Sequence, residues 1–195
     1  MRSATITRET NETTITIGLT LDGTGKCLVD SGVGFLDHML HQLAHHALFD
    51  LEVTVEGDTH IDDHHSTEDV GVVLGKALVK ALGDKSGIRR YGNFSLVMDD
   101  AWIDVALDLS GRPYLGWGIE MPSEKIGRFD TELVREFFQA LAWNGGITLH
   151  LRQHSGFNSH HIAEAAFKAT ARALRIAVES DSRIGNSIPS TKRLL

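Results

Sequence analysis

Two stretches of the chain share one pattern, His64-His65-x-x-Glu68 and His160-His161-x-x-Glu164, each at the start of a segment with helical periodicity. On a helix, residues i and i+4 lie on one face, so His64 and Glu68 can grip one cation together, as can His160 and Glu164. The second histidine of each pair, His65 or His161, is turned about 100° around the helix and points elsewhere. Each pair therefore suits two different metal ions, and a duplicated motif gives two pseudo-equivalent centres that exchange ligands. The order is not His-Glu-x-x-His, so the zinc-protease arrangement does not apply. The chain holds 11 histidines, clustered at 38, 41, 45, 46, 60, 64 and 65 and again at 150, 154, 160 and 161. Metal binding is the first physical explanation for imidazoles gathered in this way.

The motifs supply six donors, and a catalytic centre needs further ligands while keeping a position open for substrate. The helices ahead of the motifs are the source, with His38, His41, His45 and His46 as candidates in the first half. His38 stands 26 residues before His64, and Glu136 stands 24 residues before His160, a nearly matching position. A donor set of imidazoles and carboxylates without thiolate favours Mn²⁺, Fe²⁺ or Zn²⁺. Only neutral imidazole ligates, so affinity should fall as pH drops.

The elements that position these residues recur in order. Residues 4–20 alternate and read as strand, Leu21 to Gly25 as a turn, and Lys26 to Asp30 as the returning strand of a hairpin. Residues 35–48 have helical spacing, Leu51 to Val55 alternates, Asp58 to Asp63 is a polar loop, and Ser66 to Leu82 is an amphipathic helix. The order then repeats: strands at Phe94 to Met98, Ala101 to Leu109 and Tyr114 to Glu120, a helix at Thr131 to Ala142, a strand at Ile147 to Leu151, and an Ala-rich helix at His161 to Glu179. His160 stands 96 positions after His64, which is an internal duplication rather than a short-period solenoid. The chain divides into α+β halves at 1–92 and 93–195, each too small to be stable alone, so the halves are expected to share one core. The tail from Asp181 is polar and reads as a frayed terminus.

Composition narrows the function. At 195 residues and 42% hydrophobic content there is material for a core. A net charge of -7 with no Lys/Arg run disfavours nucleic acid or anionic membranes as partners. No window approaches the ~20 apolar residues of a membrane span, and the alternating N-terminus lacks a signal-peptide core. The single cysteine, Cys27, allows no disulfide within the chain, which fits a reducing cytoplasm.

Longer motifs carry a family resemblance. Arg8, Asn11-Glu12-Thr13, Leu21-Asp22-Gly23-Thr24-Gly25, Phe35-Leu36-Asp37-His38-Met39-Leu40, Asp63-His64-His65-Ser66-Thr67-Glu68-Asp69, Ser110-Gly111-Arg112-Pro113-Tyr114, and Asn158-Ser159-His160-His161 with Glu164 and Phe167-Lys168-Ala169 resemble imidazoleglycerol-phosphate dehydratases along essentially the whole chain. The resemblance implies a tandem repeat with helices layered between two four-stranded sheets. It implies removal of water from imidazole glycerol phosphate in histidine biosynthesis, two Mn²⁺ per subunit, and homo-oligomeric shells of 24 subunits with active sites between subunits. The proton to be lost is not beside a carbonyl, so the imidazole ring must be the electron sink. Metals at its two nitrogens would favour the imidazolate, from which the C3 hydroxyl can leave.

By the same resemblance His38, His64, His65, Glu68, Glu136, His160, His161 and Glu164 are metal ligands. Glu12 is a substrate contact and acid–base group, with Glu68 and Glu164 also in the catalytic set. Arg90, Arg112, Lys168, Ser190 and Lys192 form the phosphate pocket, and His38, His45, His64 and His160 face substrate. Asp99 and Asp104 are read as carboxylates that steady imidazoles. Some relatives carry histidine where this chain has Glu136, and glycine is common where it has Arg193. Two other readings compete with this one: a non-catalytic metal store, which needs no phosphate pocket, and a metal-dependent phosphoester hydrolase, which uses more carboxylates.

Overall fold

A computed structural model describes residues 1–192; Arg193 and the two residues after it lie outside the described residues. The first half contains β1 (Ser3–Glu9), β2 (Thr13–Thr20), β3 (Cys27–Asp30), α1 (Gly34–Ala47), β4 (Asp50–Gly57) and α2 (His64–Leu82). The second contains β5 (Tyr91–Met98), β6 (Ala101–Asp108), β7 (Tyr114–Gly118), the two-residue strands β8 (Lys125–Ile126) and β9 (Phe129–Asp130), α3 (Glu132–Gly145), β10 (Thr148–Ser155) and α4 (Ser159–Val178).

The two four-stranded sheets have the same topology, β1-β2-β4-β3 and β5-β6-β10-β7. In each, the first two strands and the third pair antiparallel, and the last strand runs parallel to its neighbour. A parallel neighbour demands a crossover, which α1 supplies between β3 and β4 and α3 between β7 and β10. Two expectations are corrected here. The alternating run 4–20 is two strands, because the chain turns at Thr10 to Glu12, where Thr10 Oγ1 accepts from the backbone N–H groups of Glu12 and Thr13. Residues 26–30 do not return as a hairpin; β3 pairs parallel to β4, in register Cys27 with Leu51. The β8–β9 ribbon is an element that the sequence reading did not foresee.

Alternation decides which sheet face is buried. Ile15, Ile17 and Leu19 on β2, and Ile103, Val105 and Leu107 on β6, point inward and are buried. α2 covers the first sheet and α4 the second, and the four helices form the layer between the two sheets. The helices pair across the halves, α1 on α4 and α2 on α3. Gly71 makes the second pairing close: a Cβ there would lie 2.7 Å from the Phe137 carbonyl oxygen. Phe137, Phe138 and Phe167 pack in mutual tilted and edge-on contact, with centroids 4.7 to 5.4 Å apart. All three are almost completely buried, and truncating such a ring to alanine costs about 3–5 kcal/mol.

Candidate metal centre

Both motifs begin their helices in the same way. Asp62 Oδ1 accepts from the His64 backbone N–H at 2.8 Å, and Asn158 Oδ1 accepts from that of His160 at 2.9 Å. These contacts satisfy N–H groups that a helix start leaves without partners. The histidine pairs open alike: the His64 and His65 rings are 6.1 Å apart at 84°, and the His160 and His161 rings 6.2 Å apart at 83°. The divergence read from helical geometry is thus present in both halves.

The second motif is joined by a residue of the first half. His38 Nε2 and His160 Nε2 each stand 3.1 Å from Glu164 Oε2, and the donor atoms of the three residues lie within 4.8 Å of one another. The packing of α1 on α4 brings His38 here rather than to His64. Glu164 is 5% exposed. Burial pushes its carboxyl upward, but the hydrogen bond from Lys168 and those with His38 and His160 outweigh it, and the pKa is lowered from 4.5. Lys168 Nζ is 2.6 Å from Glu164 Oε1, leaving Oε2 to face the imidazoles. This donor set of two imidazoles and an ionised carboxylate oxygen fits a divalent transition metal. Beside it lies a cleft of about 450 Å³ lined by Phe35, His38, Asp63, Arg128 and Phe129, among others.

In the first motif His64 Nε2 and Glu68 Oε2 are 3.6 Å apart, and both side chains are exposed. Glu136 is the fifth residue of α3, as His38 is of α1. Its carboxylate is engaged by Arg135 at 3.3 Å. Among the described residues, His38, His160 and Glu164 are the group whose donor atoms are drawn together in this way.

The outward histidines are each held by a carboxylate. His65 Nδ1 is 3.0 Å from Asp58 Oδ2, and His161 Nδ1 is 2.6 Å from Asp100 Oδ1. A carboxylate accepts, so Nδ1 carries the hydrogen and Nε2 presents its lone pair outward. The bond to Asp58 raises the His65 pKa. Asp100 is held well below the usual carboxylate range by the backbone N–H of Phe157 first, then by His161 and the N–H of Asn158. Sequence reasoning missed Asp58 and Asp100. Of the two carboxylates it named, Asp99 lies 3.6 Å from His161 Nε2, while Asp104 pairs with His154 at 2.7 Å, away from the motifs. Glu12 Oε1 is 3.9 Å from His65 Nε2.

The basic residues separate into two places. Arg90 forms a two-pronged pair with Asp108 at 2.7 and 3.0 Å and donates to the Pro189 carbonyl at 2.8 Å, which brings the Ser190 segment to this corner. Arg112 stands 3.9 Å from Asp108 and is largely exposed. Ser190 Oγ accepts from the Lys192 backbone N–H at 3.2 Å. Lys168 is not in this corner but against Glu164. His45 lies two turns along α1 from His38, its ring edge-on to His46 at 5.2 Å.

Fold and site together define a tandem-repeat α+β protein with an imidazole–carboxylate centre at the seam of its halves. A sequence model described as "Imidazoleglycerol-phosphate dehydratase" matches residues 31–174. The imidazoleglycerol-phosphate dehydratase of Jannaschia sp. (strain CCS1) is 67% identical over 192 residues, 98% of each chain. That of Cereibacter sphaeroides (strain KD131) is 64% identical over 100% of both chains. The crystal structure of the Staphylococcus aureus enzyme superposes with a TM-score of 0.84 at 39% identity, covering 92% of this chain and 99% of that one. IGPD from Pyrococcus furiosus, in complex with (S)-C348, gives 0.84 at 35% identity over 97% and 100%. The chain belongs to the imidazoleglycerol-phosphate dehydratase family, a family of hydro-lyases.

Proposed function

We propose that this chain dehydrates imidazole glycerol phosphate to imidazole acetol phosphate in histidine biosynthesis, with two Mn²⁺ per subunit. The observation that carries the metal requirement is the convergence of His38, His160 and Glu164. His64, Glu68 and Glu136 are assigned as the matching set of the other half, and His65 and His161 offer their Nε2 atoms to neighbouring centres. When bound, the metals would supply Lewis acidity to the substrate's imidazole ring.

The chain's own residues do the rest. Glu12, exposed on the β1–β2 turn, accepts and returns the proton at its carboxylate, and Glu68 and Glu164 complete the catalytic set. Lys168 keeps Glu164 ionised and so able to ligate. Arg112, Arg90, Ser190 and Lys192 are assigned as the phosphate corner, and Lys168, at Glu164, as the phosphate contact nearest the metal centre. Guanidinium groups suit this task, since their forked donors match phosphate oxygens. His38, His45, His64 and His160 face the substrate ring.

Three assignments go with this reading. The chain divides into halves at 1–92 and 93–195 that close one core, supported by a buried apolar cluster drawing on both sheets and all four helices. Subunits assemble as shells of 24, so that His65 and His161 meet centres on neighbours. The enzyme works in the cytoplasm; no helix among the described residues is long and apolar enough to cross a membrane.

The test is metal content on one sample, followed by product formation from imidazole glycerol phosphate with and without Mn²⁺. Product that appears with Mn²⁺ and disappears with chelator is expected. Metal uptake of about two per chain with no product under any metal would overturn the assignment in favour of a metal store.

A further inference from the structure

The two halves hold their outward histidines from different places. Glu12 is the last residue before β2, and Asp100 is the last residue before β6, so the two are repeat counterparts on the first turn of each sheet. Asp58 directly follows Gly57 at the end of β4. The register shift in β10 makes Gly156 the counterpart of Gly57, each glycine lying against the second residue after the first histidine of its motif, Ser66 or Ile162, so Phe157 stands in the place of Asp58. The second half therefore has no carboxylate where Asp58 stands. Phe157 turns its ring to solvent, 78% exposed, and donates its backbone N–H to Asp100 Oδ2 at 2.6 Å. His161 is consequently held by the turn carboxylate, Asp100. In the first half Asp58 does the holding, and the turn carboxylate, Glu12, is left without a close partner. The side chains of Asp58 and Asp100 are 15% and 12% exposed, whereas that of Glu12 is 55% exposed.

We infer that Asp58 and Asp100 are positioning residues that set the Nδ1–H tautomers of His65 and His161, and that the exchange of Asp58 for Phe157 frees Glu12 alone for proton transfer. The inference rests on the proposed metal-dependent dehydratase reading. An imidazole that can rotate or change tautomer offers Nε2 only part of the time, and loss of such an orienting carboxylate typically costs about 10–100-fold in metal affinity. Glu12 orients nothing, so its removal should leave metal binding alone while abolishing turnover. The asymmetry separates this account from one in which all the carboxylates near the motifs merely add negative charge.

The experiment is a Mn²⁺ titration of the full chain, read by calorimetry or by the loss of the free-ion EPR signal, on wild type, Asp58→Ala, Asp58→Asn, Asp100→Asn and Glu12→Gln. Asp58→Ala is expected to weaken Mn²⁺ binding about 10–100-fold. Asp58→Asn should recover part of the loss, because its amide oxygen still accepts from Nδ1–H, and Asp100→Asn should behave like it. Glu12→Gln should match wild type in Mn²⁺ affinity while losing dehydration. Metal-free wild type should show the ¹⁵N signature of Nδ1–H tautomers at His65 and His161, a readout that needs no variant to fold. Wild-type affinity in Asp58→Ala, equal losses in Asp58→Ala and Glu12→Gln, or Nε2–H tautomers in wild type would each overturn this inference and leave the dehydratase reading standing. A wild-type chain that takes up no Mn²⁺ would overturn both.

Discussion

His38 Nε2 stands 3.1 Å from Glu164 Oε2, across 126 residues of chain and across the seam between the two sheets. The contact makes the candidate centre a property of the whole chain rather than of either half. His38→Ala is expected to lower Mn²⁺ affinity at least as much as loss of an orienting partner does, about 10–100-fold. Its melting temperature without metal should stay near that of wild type, because the His38 side chain is 42% exposed and removes little packing. Calorimetric titration alongside a thermal melt tests this; unchanged Mn²⁺ binding would remove His38 from the centre.

Arg90 and Arg112 should separate by phenotype. Arg112 is largely exposed, so Arg112→Ala should raise KM with little change in melting temperature. A charged hydrogen bond of about 1.5–3 kcal/mol corresponds to roughly 10–100-fold in affinity. Arg90 is tied to Asp108 and to Pro189, so Arg90→Ala should also cost about 1.5–3 kcal/mol of stability. Equal melting temperatures for the two variants would contradict this division.

Gly71 is required by the approach of α3. In Gly71→Ala the added methyl group meets the Phe137 carbonyl and Ala140, and overpacking of this kind costs about 1–3 kcal/mol. A denaturant midpoint equal to that of wild type would mean that the two helices can separate freely.

Cys27 should be a slow thiol. Burial first, and the neighbouring Asp37 second, push its pKa up to about 11. At pH 8 the thiolate, which is the reactive species, is then scarce, and alkylation should run on the order of 100-fold slower than for free cysteine. The rate should climb with pH until about 11, and a plateau near pH 8.5 would contradict the assigned environment.

Asp22 ties the N-terminus to the fold. The side-chain hydrogen bond from Arg2 is the main reason that its pKa is lowered from 3.8, against a smaller opposing push from burial. A depressed carboxylate contributes stability that is present above its unfolded pKa and is lost as pH falls through the lower folded value. Asp22→Asn should therefore flatten stability against pH below about 4. For so exposed a pair the change should be under about 1 kcal/mol. An acid limb identical to that of wild type would show that the pair contributes nothing.

Much of the architecture was legible because periodicity carries it. The inward Ile15, Ile17 and Leu19 and the stripe from Val70 to Ala81 mark a strand and a helix unambiguously. The turn at Thr10 to Glu12 was not legible, since the polar run from Thr7 to Thr14 contains neither glycine nor proline to mark a break between Ile6 and Ile15. The pairing of β3 with β4 was also hidden, because which strand lies beside which depends on where the crossover helix packs. In the site, the two motifs stood out by repetition, and so did His38 and Glu136 by their matching offsets. That His38 serves the opposite motif follows from the pairing of α1 with α4, a tertiary fact without a local signature. Asp58 and Asp100 were missed because lone aspartates in turns are common. Aligning the two halves strand by strand, with Gly156 opposite Gly57 and Phe157 opposite Asp58, is the signal that would have found them.

The pairing of α1 with α4 and of α2 with α3 is an exchange: each motif helix leans on a helix contributed by the other half. Two separate copies of one half, facing each other about a two-fold axis, would make the same exchange and would be bound to keep both centres alike. Joining the copies in one chain lifts that constraint. Position five of the crossover helix can then be histidine on one side and glutamate on the other, and a carboxylate after the third antiparallel strand can be kept on one side and dropped on the other. The fusion turns a symmetric pair of pockets into two that can specialise.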